Sequence, residues 1–199
     1  MNRNAVRAGR GALPRFLERL DRRSSRSSDS SRSGAMGMET RQLPAGFKPL
    51  VGTEDTTIDK MGRVLIPKAK RDRLGEDCAI TLGTNGCVVI LPEWHWIELQ
   101  KWLYLVPKEN AGAEEYKRLV FGEAQDSLRF DAQGRLVIPQ RLRELARLKQ
   151  KVKLVGAFDR VEVWDEDEYR QFLENPDEYG KERRLRLERA LRLMQGAPA

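Results

Sequence analysis

The stretch Ile58-Asp-Lys-Met-Gly-Arg-Val-Leu-Ile-Pro67 recurs later in the chain as Phe130-Asp-Ala-Gln-Gly-Arg-Leu-Val-Ile-Pro139. Both copies follow the pattern apolar-Asp-x-x-Gly-Arg-apolar-apolar-Ile-Pro, and their starts are 72 residues apart. The same series of segments follows each copy: a short basic helix, an apolar strand ending at glycine, a turn and a second apolar strand. A shared phrase followed by collinear elements indicates an internal repeat. The sequence therefore predicts a tandem of two related units.

Each copy of the phrase predicts a tight turn between two strands. In the first copy, Gly52–Ile58 is the incoming strand, Asp59–Gly62 makes the turn and Arg63–Ile66 is the return strand. Asp accepts hydrogen bonds from the backbone two residues on, and Gly adopts the positive φ that closes such a turn. Gly62 and Gly134 are therefore the residues expected to shape the two turns.

The arginine after each glycine has two interpretations. In the first, the turn is capped by Asp, and Arg63 and Arg135 are solvated or paired with Asp59 and Asp131. In the second, the arginines bind a shared ligand, because a turn needs Asp and Gly but not Arg at the same offset in both copies. A guanidinium matches O6 and N7 of guanine in the major groove. The aspartate would then fix the arginine rotamer or accept from cytosine N4, while Lys60 would meet phosphate.

The remaining pattern places further elements around the two copies. The predicted strands are Ala79–Gly83, Val88–Leu91, Lys153–Gly156 and Val161–Trp164, and the predicted helices are Lys68–Leu74, Glu93–Val106, Glu114–Phe121, Gln140–Leu148, Glu166–Leu173 and Lys181–Met194. We expect a disordered extension over 1–46, a first repeat over 51–94, a helical linker over 95–125, a second repeat over 126–168 and a basic end over 175–199. Seven serines within Ser24–Ser33 favour disorder at the start.

The net charge of +7 is concentrated outside the predicted repeats. Residues 1–46 hold ten arginines and four acids, a net of +6, which leaves +1 for the remaining residues. DNA binding by the folded body would therefore depend on local charge arrangement rather than on the overall isoelectric point. The arginine-rich extension is a mis-assigned start, a solvated arm or an arm that contacts phosphate.

Several function classes lack support in the sequence. No apolar run approaches the length of a membrane span, and the N-terminus carries no apolar stretch typical of a secretory signal. Cys78, Cys87 and the single histidine, His95, do not form a metal-ligand pattern, and we interpret the cysteines as small buried residues. Neither a phosphate-binding glycine loop nor a nucleophile–base arrangement is visible. We expect no catalysis, cofactor or metal.

The basic helices also remain open to two interpretations. The first copy is followed by Lys68, Lys70, Arg71 and Arg73, and the second by Arg141, Arg143 and Arg147. These residues form either a solvated helix face or phosphate contacts beside the turns. The basic C-terminal helix is either solvated or binds a partner, nucleic acid or a membrane surface.

The doubled Asp-x-x-Gly-Arg phrase, together with Val88-Val-Ile-Leu-Pro-Glu-Trp94 and Val155-Gly-Ala-Phe-Asp-Arg-Val-Glu-Val-Trp164, resembles the MraZ family of the AbrB-like swapped-hairpin class. The resemblance covers about Leu50 to Phe172. It implies an α+β fold of two pseudo-symmetric β-α-β units in one domain, and subunits that form a ring. It also implies double-stranded promoter DNA as the partner, with both hairpins reading short G-rich direct repeats upstream of the division and cell wall operon.

Carried over to this sequence, the DNA-reading residues are Asp59, Arg63, Asp131 and Arg135. The expected protein is a homo-oligomeric, cytoplasmic and nucleoid-associated regulator that is not an enzyme and uses no membrane or small-molecule substrate. The alternative is an oligomeric interaction module that does not bind DNA, in which the Asp/Arg pairs are intersubunit ion pairs.

Overall fold

The computed structural model describes residues 43–83, 85–107, 109–175, 179 and 189–190. Within these residues the chain is mixed α+β. The strands are β1 (Thr53–Thr57), β2 (Arg63–Leu65), β3 (Cys78–Leu82), β4 (Val88–Pro92), β5 (Gln125–Leu128), β6 (Arg135–Val137), β7 (Lys151–Gly156) and β8 (Val161–Asp165). The helices are α1 (Lys68–Leu74), α2 (Glu93–Leu105), α3 (Ala111–Val120), α4 (Gln140–Leu145) and α5 (Glu166–Glu174).

Most predicted elements are confirmed with small shifts of their ends. Helix α1 has the predicted bounds, α4 ends three residues earlier than Leu148, and α3 begins three residues before Glu114. The extension over 1–42 and, apart from residues 189–190, the predicted helix Lys181–Met194 lie outside the described residues.

The main sheet has six strands in the order β1-β7-β8-β4-β3-β5, and every neighbouring pair is antiparallel. Strands β3 and β4 form a hairpin after the first copy of the phrase, and β7 and β8 form one after the second. The incoming strands are exchanged between these hairpins. Strand β1 pairs with β7, and β5 pairs with β3. Each copy thus completes the sheet of the other.

The return strands form a separate two-stranded ribbon. Strand β2 pairs antiparallel with β6, with Val64 opposite Leu136. The predicted pairing of each return strand with its own incoming strand is therefore wrong beyond the turn, where Ile58 and Val64 form a single bridge. A three-residue strand buries too little surface to pair stably by itself. Pairing between β2 and β6 lets both strands bury their apolar side chains against the main sheet.

The ribbon and helices α1 and α4 pack on one face of the sheet. The ribbon strands and the residues just after them contribute four fully buried side chains: Val64, Ile66, Leu136 and Ile138. These belong to one apolar cluster with residues of all four central strands: Ile80, Ile90, Leu154 and Val163. Trp96 of α2 and Trp164 of β8 belong to the cluster on the opposite face. Residues that alternate along β3 and β4 therefore face opposite layers, as the period of a strand requires.

Both cysteines are buried, as the sequence interpretation expected. Burial raises the pKa of the Cys78 thiol to about 12, so this thiol stays protonated and unreactive at neutral pH.

Candidate nucleic-acid interface

The first turn is built around the carboxylate of Asp59. Its Oδ1 accepts hydrogen bonds from the backbone N–H groups of Met61 and Arg63, both at 2.9 Å. The Gly62 N–H donates to the Asp59 carbonyl, and Gly62 has a φ of 79°. The predicted capping role of Asp and the positive φ of Gly are thus present in this turn.

The carboxylate also holds the side chain of Arg63. Asp59 Oδ2 accepts from Arg63 Nε at 2.7 Å, and both side chains are about one-third exposed. The N–H bonds from Arg63, that of its backbone foremost, hold the pKa of Asp59 below its ordinary value, so the carboxylate is ionised at neutral pH. Because Nε is the nitrogen that bonds, both terminal nitrogens of Arg63 are left without a hydrogen bond to the residues that the structure describes.

The second turn repeats these bonds. Asp131 Oδ1 accepts from the N–H groups of Gln133 at 3.0 Å and Arg135 at 2.9 Å, and Oδ2 accepts from Arg135 Nε at 2.8 Å. Gly134 has a φ of 78°. The pKa of Asp131 is lowered for the same reason, with the backbone N–H of Arg135 as the largest cause.

The two turns differ in the residues at their tips. Gln133 Oε1 accepts from Arg135 Nη2 at 3.0 Å, whereas the equivalent residue in the first turn is Met61, which offers no such acceptor. Lys60 is exposed in the first turn, and Ala132 stands at that position in the second. Arg135 is therefore held by one more neighbour than Arg63.

The ribbon places both arginines on one exposed face. Val64 and Leu136 point into the core and are almost fully buried, so the flanking residues Arg63 and Arg135 lie on the opposite, solvent-facing side. In the ribbon register Arg63 is opposite Val137, and Arg135 is opposite Leu65. Two carboxylate-held guanidiniums can thus meet one partner surface together.

The arginines of helices α1 and α4 match only in part the common basic face that the sequence suggested. Arg71 of α1 lies against the turn of the second copy, and Arg143 of α4 lies against the turn of the first. The sequence grouped these residues with other basic residues but did not indicate that they cross between copies. The signal that could have separated them is their identical position in the two repeats.

Lys70 does not fit the expected phosphate-contacting face. It is only 2% exposed, and its ammonium donates to the carbonyls of Val51 and Gly52 and pairs with Glu54 at 2.6 Å. The equivalent residue in the second copy is the buried Leu142. Lys70 therefore holds the chain segment before β1 in place and does not form part of a ligand-contacting face.

His95 and the described acids do not form a metal centre. His95 Nδ1 lies 3.2 Å from the carbonyl of Asp159, and its ring stacks on Trp94. Within the described part of the chain there is no group of three His, Cys, Asp or Glu residues that could hold a metal ion. Among the helices of that part, none is long and apolar enough to cross a membrane.

Comparison with known proteins identifies the family to which the chain belongs. Residues 120–187 match the family model described as “MraZ protein, putative antitoxin-like”. A transcriptional regulator MraZ from Moorella thermoacetica is 35% identical over 130 residues, which cover 65% of this chain and 90% of that protein. Proteins of the same name from Nocardioides sp. and Pediococcus pentosaceus are 34% and 31% identical, over 61% and 64% of this chain and 84% and 89% of theirs. The chain belongs to the MraZ family.

Proposed function

We propose that the chain is a sequence-specific DNA-binding transcriptional regulator that reads short G-rich direct repeats upstream of the division and cell wall operon. The observation that carries the proposal is the pair of carboxylate-held arginines, Arg63 and Arg135, on the exposed face of one ribbon. The names of the relatives support the regulatory class.

The geometry of the turns fits guanine recognition. A two-stranded ribbon is narrow enough for the major groove, and a guanidinium donates two parallel bonds to O6 and N7 of guanine. Asp59 and Asp131 bond the Nε of each arginine. In the second turn Gln133 also accepts from Arg135 Nη2, so a two-bond contact of Arg135 with guanine replaces that bond. Holding the rotamer before binding lowers the entropy lost on contact. The turn residues in the proposed interface are Asp59, Lys60, Gly62 and Arg63 in one copy, with Asp131, Gly134 and Arg135 in the other.

The proposal extends to the organisation of the molecule. The two repeats, 51–94 and 126–168, are pseudo-symmetric units of one domain joined by the linker 95–125, and subunits close into a ring that presents many turns to a row of repeats. Several weak sites on one assembly raise its apparent affinity through effective concentration. The regulator acts on nucleoid DNA in the cytoplasm, and DNA rather than a small molecule is its partner. Catalysis is not part of the proposal.

The Arg63→Ala, Arg135→Ala double variant tests this function. Each bidentate guanine contact is worth about 1–3 kcal/mol, so the variant should lose repeat recognition by at least tenfold. The measurement is fluorescence anisotropy on G-rich repeats and on scrambled DNA, with Arg170→Ala as the control because Arg170 lies on α5 and pairs with Asp167.

Two results would count against the proposal. A folded double variant that still distinguishes repeats from scrambled DNA rules out reading by these arginines. If the variant instead falls apart on size-exclusion chromatography, the pairs hold subunits together. The bonds within each turn favour the first role over that alternative, because each aspartate already pairs with the arginine of its own turn.

A further inference from the structure

Helices α1 and α4 each carry one arginine that reaches into the other copy of the repeat. Arg71 Nε donates to the Ile66 carbonyl at 3.0 Å, and Arg143 Nε donates to the Ile138 carbonyl at 3.1 Å. These carbonyls belong to the residues just after β2 and β6. Each bond therefore aims the guanidinium across the ribbon toward the turn of the other copy.

The two glycines show how close this approach is. A Cβ added at Gly134 would lie 2.5 Å from Arg71 Cζ, and one added at Gly62 would lie 3.1 Å from Arg143 Cζ. Each of these glycines immediately precedes an arginine on the exposed ribbon face. Each turn therefore carries two guanidiniums, one from its own copy and one from the other, beside one aspartate.

Within the described part of the chain, neither Arg71 nor Arg143 forms an ion pair with an acidic side chain. Their Nε bonds engage one of the five N–H donors of a guanidinium, and the ion pairs recorded among the described residues include neither arginine. Arg71 also lines a hollow beside the second turn, whose other charged residues are Asp72, Glu76, Arg129 and Asp131. At the tip of each turn two guanidiniums flank one carboxylate, an arrangement that suits an anion.

We propose that Arg71 and Arg143 contact the DNA phosphate backbone beside the bases that the turns read. Arg143 would hold the phosphate next to the site of Arg63, and Arg71 the phosphate next to the site of Arg135. This inference rests on the proposed function. A planar fork of donors matches phosphate geometry, and phosphate contacts position a protein on DNA without reading its sequence. Each DNA-reading turn then carries one arginine from its own repeat and one from the other repeat.

The Arg71→Gln, Arg143→Gln double variant tests the inference through the salt dependence of binding. Each lost phosphate contact should lower the slope of log affinity against log salt by about 0.9. Affinity should fall by a similar factor on repeats and on scrambled DNA, so the ratio between the two stays near that of the wild type. Arg170→Gln is the matched control, because this arginine is exposed and paired on α5. An unchanged slope in a folded double variant would overturn the inference.

A second measurement covers the case in which the glutamine variants do not fold. Arg143→Lys keeps the charge but not the planar fork. A methylphosphonate beside the read guanine removes one phosphate charge, and it should weaken wild-type binding several-fold and binding by Arg143→Lys less. Wild-type binding that is unchanged by the methylphosphonate would overturn the inference.

Failure of the proposed function would look different from failure of this inference. In that case Arg63→Ala, Arg135→Ala would leave sequence discrimination unchanged. The slope change from the helix arginines, measured on scrambled DNA, would still be interpretable because it does not depend on sequence.

Discussion

At the scale of single residues, one carboxylate performs two tasks in each turn. Asp59 Oδ1 caps the turn backbone, while Oδ2 orients the arginine. The same division holds at Asp131. A substitution that keeps an acceptor oxygen but removes the charge separates the stability of the turn from the orientation of the guanidinium.

The lowered pKa of Asp59 and Asp131 makes their contribution to stability depend on pH. A carboxyl group with a lowered pKa in the folded state stabilises the fold above its unfolded value, here 3.8, and loses that contribution as pH falls through the folded value. At pH 7 we therefore expect the wild type to have a higher Tm than the Asp59→Asn, Asp131→Asn double variant. The difference in Tm should shrink as pH falls below about 4. Thermal melts from pH 7 to pH 3 measure it.

A Tm difference that stays constant down to pH 3 would contradict this assignment. Asp72→Asn serves as the control, because Asp72 forms an exposed ion pair with Lys68 on the same helix. Its effect should be small at every pH, as is typical of surface ion pairs.

Gly134 combines a positive φ with a close neighbour, the Arg71 guanidinium, so alanine there should cost more than at an open glycine with a similar φ. Gly46 has a similar φ of 75° in a turn, but a Cβ added there would meet nothing within 4 Å. Gly46→Ala should therefore cost only the backbone strain, about 1–2 kcal/mol. Gly134→Ala should cost more, because the new Cβ would meet the Arg71 guanidinium at 2.5 Å. Urea denaturation of both variants gives the two free energies of unfolding.

Equal free energies for the two glycine variants would show that the Arg71 side chain moves aside freely. In that case the contact between Arg71 and the second turn does not contribute to stability. Gly134→Ala, Arg71→Ala should recover the difference if the contact is the cause.

Residue chemistry explains why the turns were predictable and the helix arginines were not. Asp and Gly determine a turn through bonds that lie within five residues, so the local sequence contains the signal. The contact of Arg71 with Gly134 joins positions far apart in the chain. Local sequence does not show which of several basic residues on a short helix reaches across the ribbon, and Lys70, its neighbour, is buried instead.

At the scale of elements, the ribbon of β2 and β6 is the feature that links the two copies. Sequence pattern predicted both strands, because Arg63–Ile66 and the equivalent stretch of the second copy are apolar and rich in β-branched residues. It did not predict their pairing. A turn sets where the chain reverses, but the partner of a three-residue strand depends on packing against distant residues.

Val64 and Leu136 offer a direct measure of this pairing. They are opposite each other in the ribbon and almost fully buried. Each alanine variant should lower the free energy of unfolding, by about 1–3 kcal/mol for Val64→Ala and 2–5 kcal/mol for Leu136→Ala. The double variant should lose less than the sum, by at least 0.5 kcal/mol, because contacting residues are coupled. Urea denaturation supplies all four values.

Strict additivity in this cycle would contradict the ribbon register. Val64→Ala combined with Val120→Ala is the control pair, because Val120 lies in a separate apolar cluster on α3. These two effects should add.

At the scale of the whole molecule, exchange between the copies determines the fold. Strand β1 completes the second hairpin, β5 completes the first, and the ribbon joins both copies. The repeat was evident from the sequence because its phrase is conserved between the copies of this one chain. The exchange was implied only by family resemblance, since periodicity cannot distinguish pairing within a copy from pairing between copies.

The same exchange gathers four arginines of a body that carries almost no net charge. The acids and bases of residues 47–199 nearly cancel. The fold nevertheless brings Arg63, Arg135, Arg71 and Arg143 to the two turns of one ribbon. Composition alone therefore does not show where these arginines come together.

We expect Arg63 and Arg135 to donate to guanine edges in the major groove. Replacing the guanines of G-rich repeats by 7-deazaguanine removes the N7 acceptor and keeps the base pair. The wild type should bind the substituted DNA at least fivefold more weakly by fluorescence anisotropy, whereas the Arg63→Ala, Arg135→Ala double variant should bind both DNAs equally. Equal binding of both DNAs by the wild type would contradict this expectation.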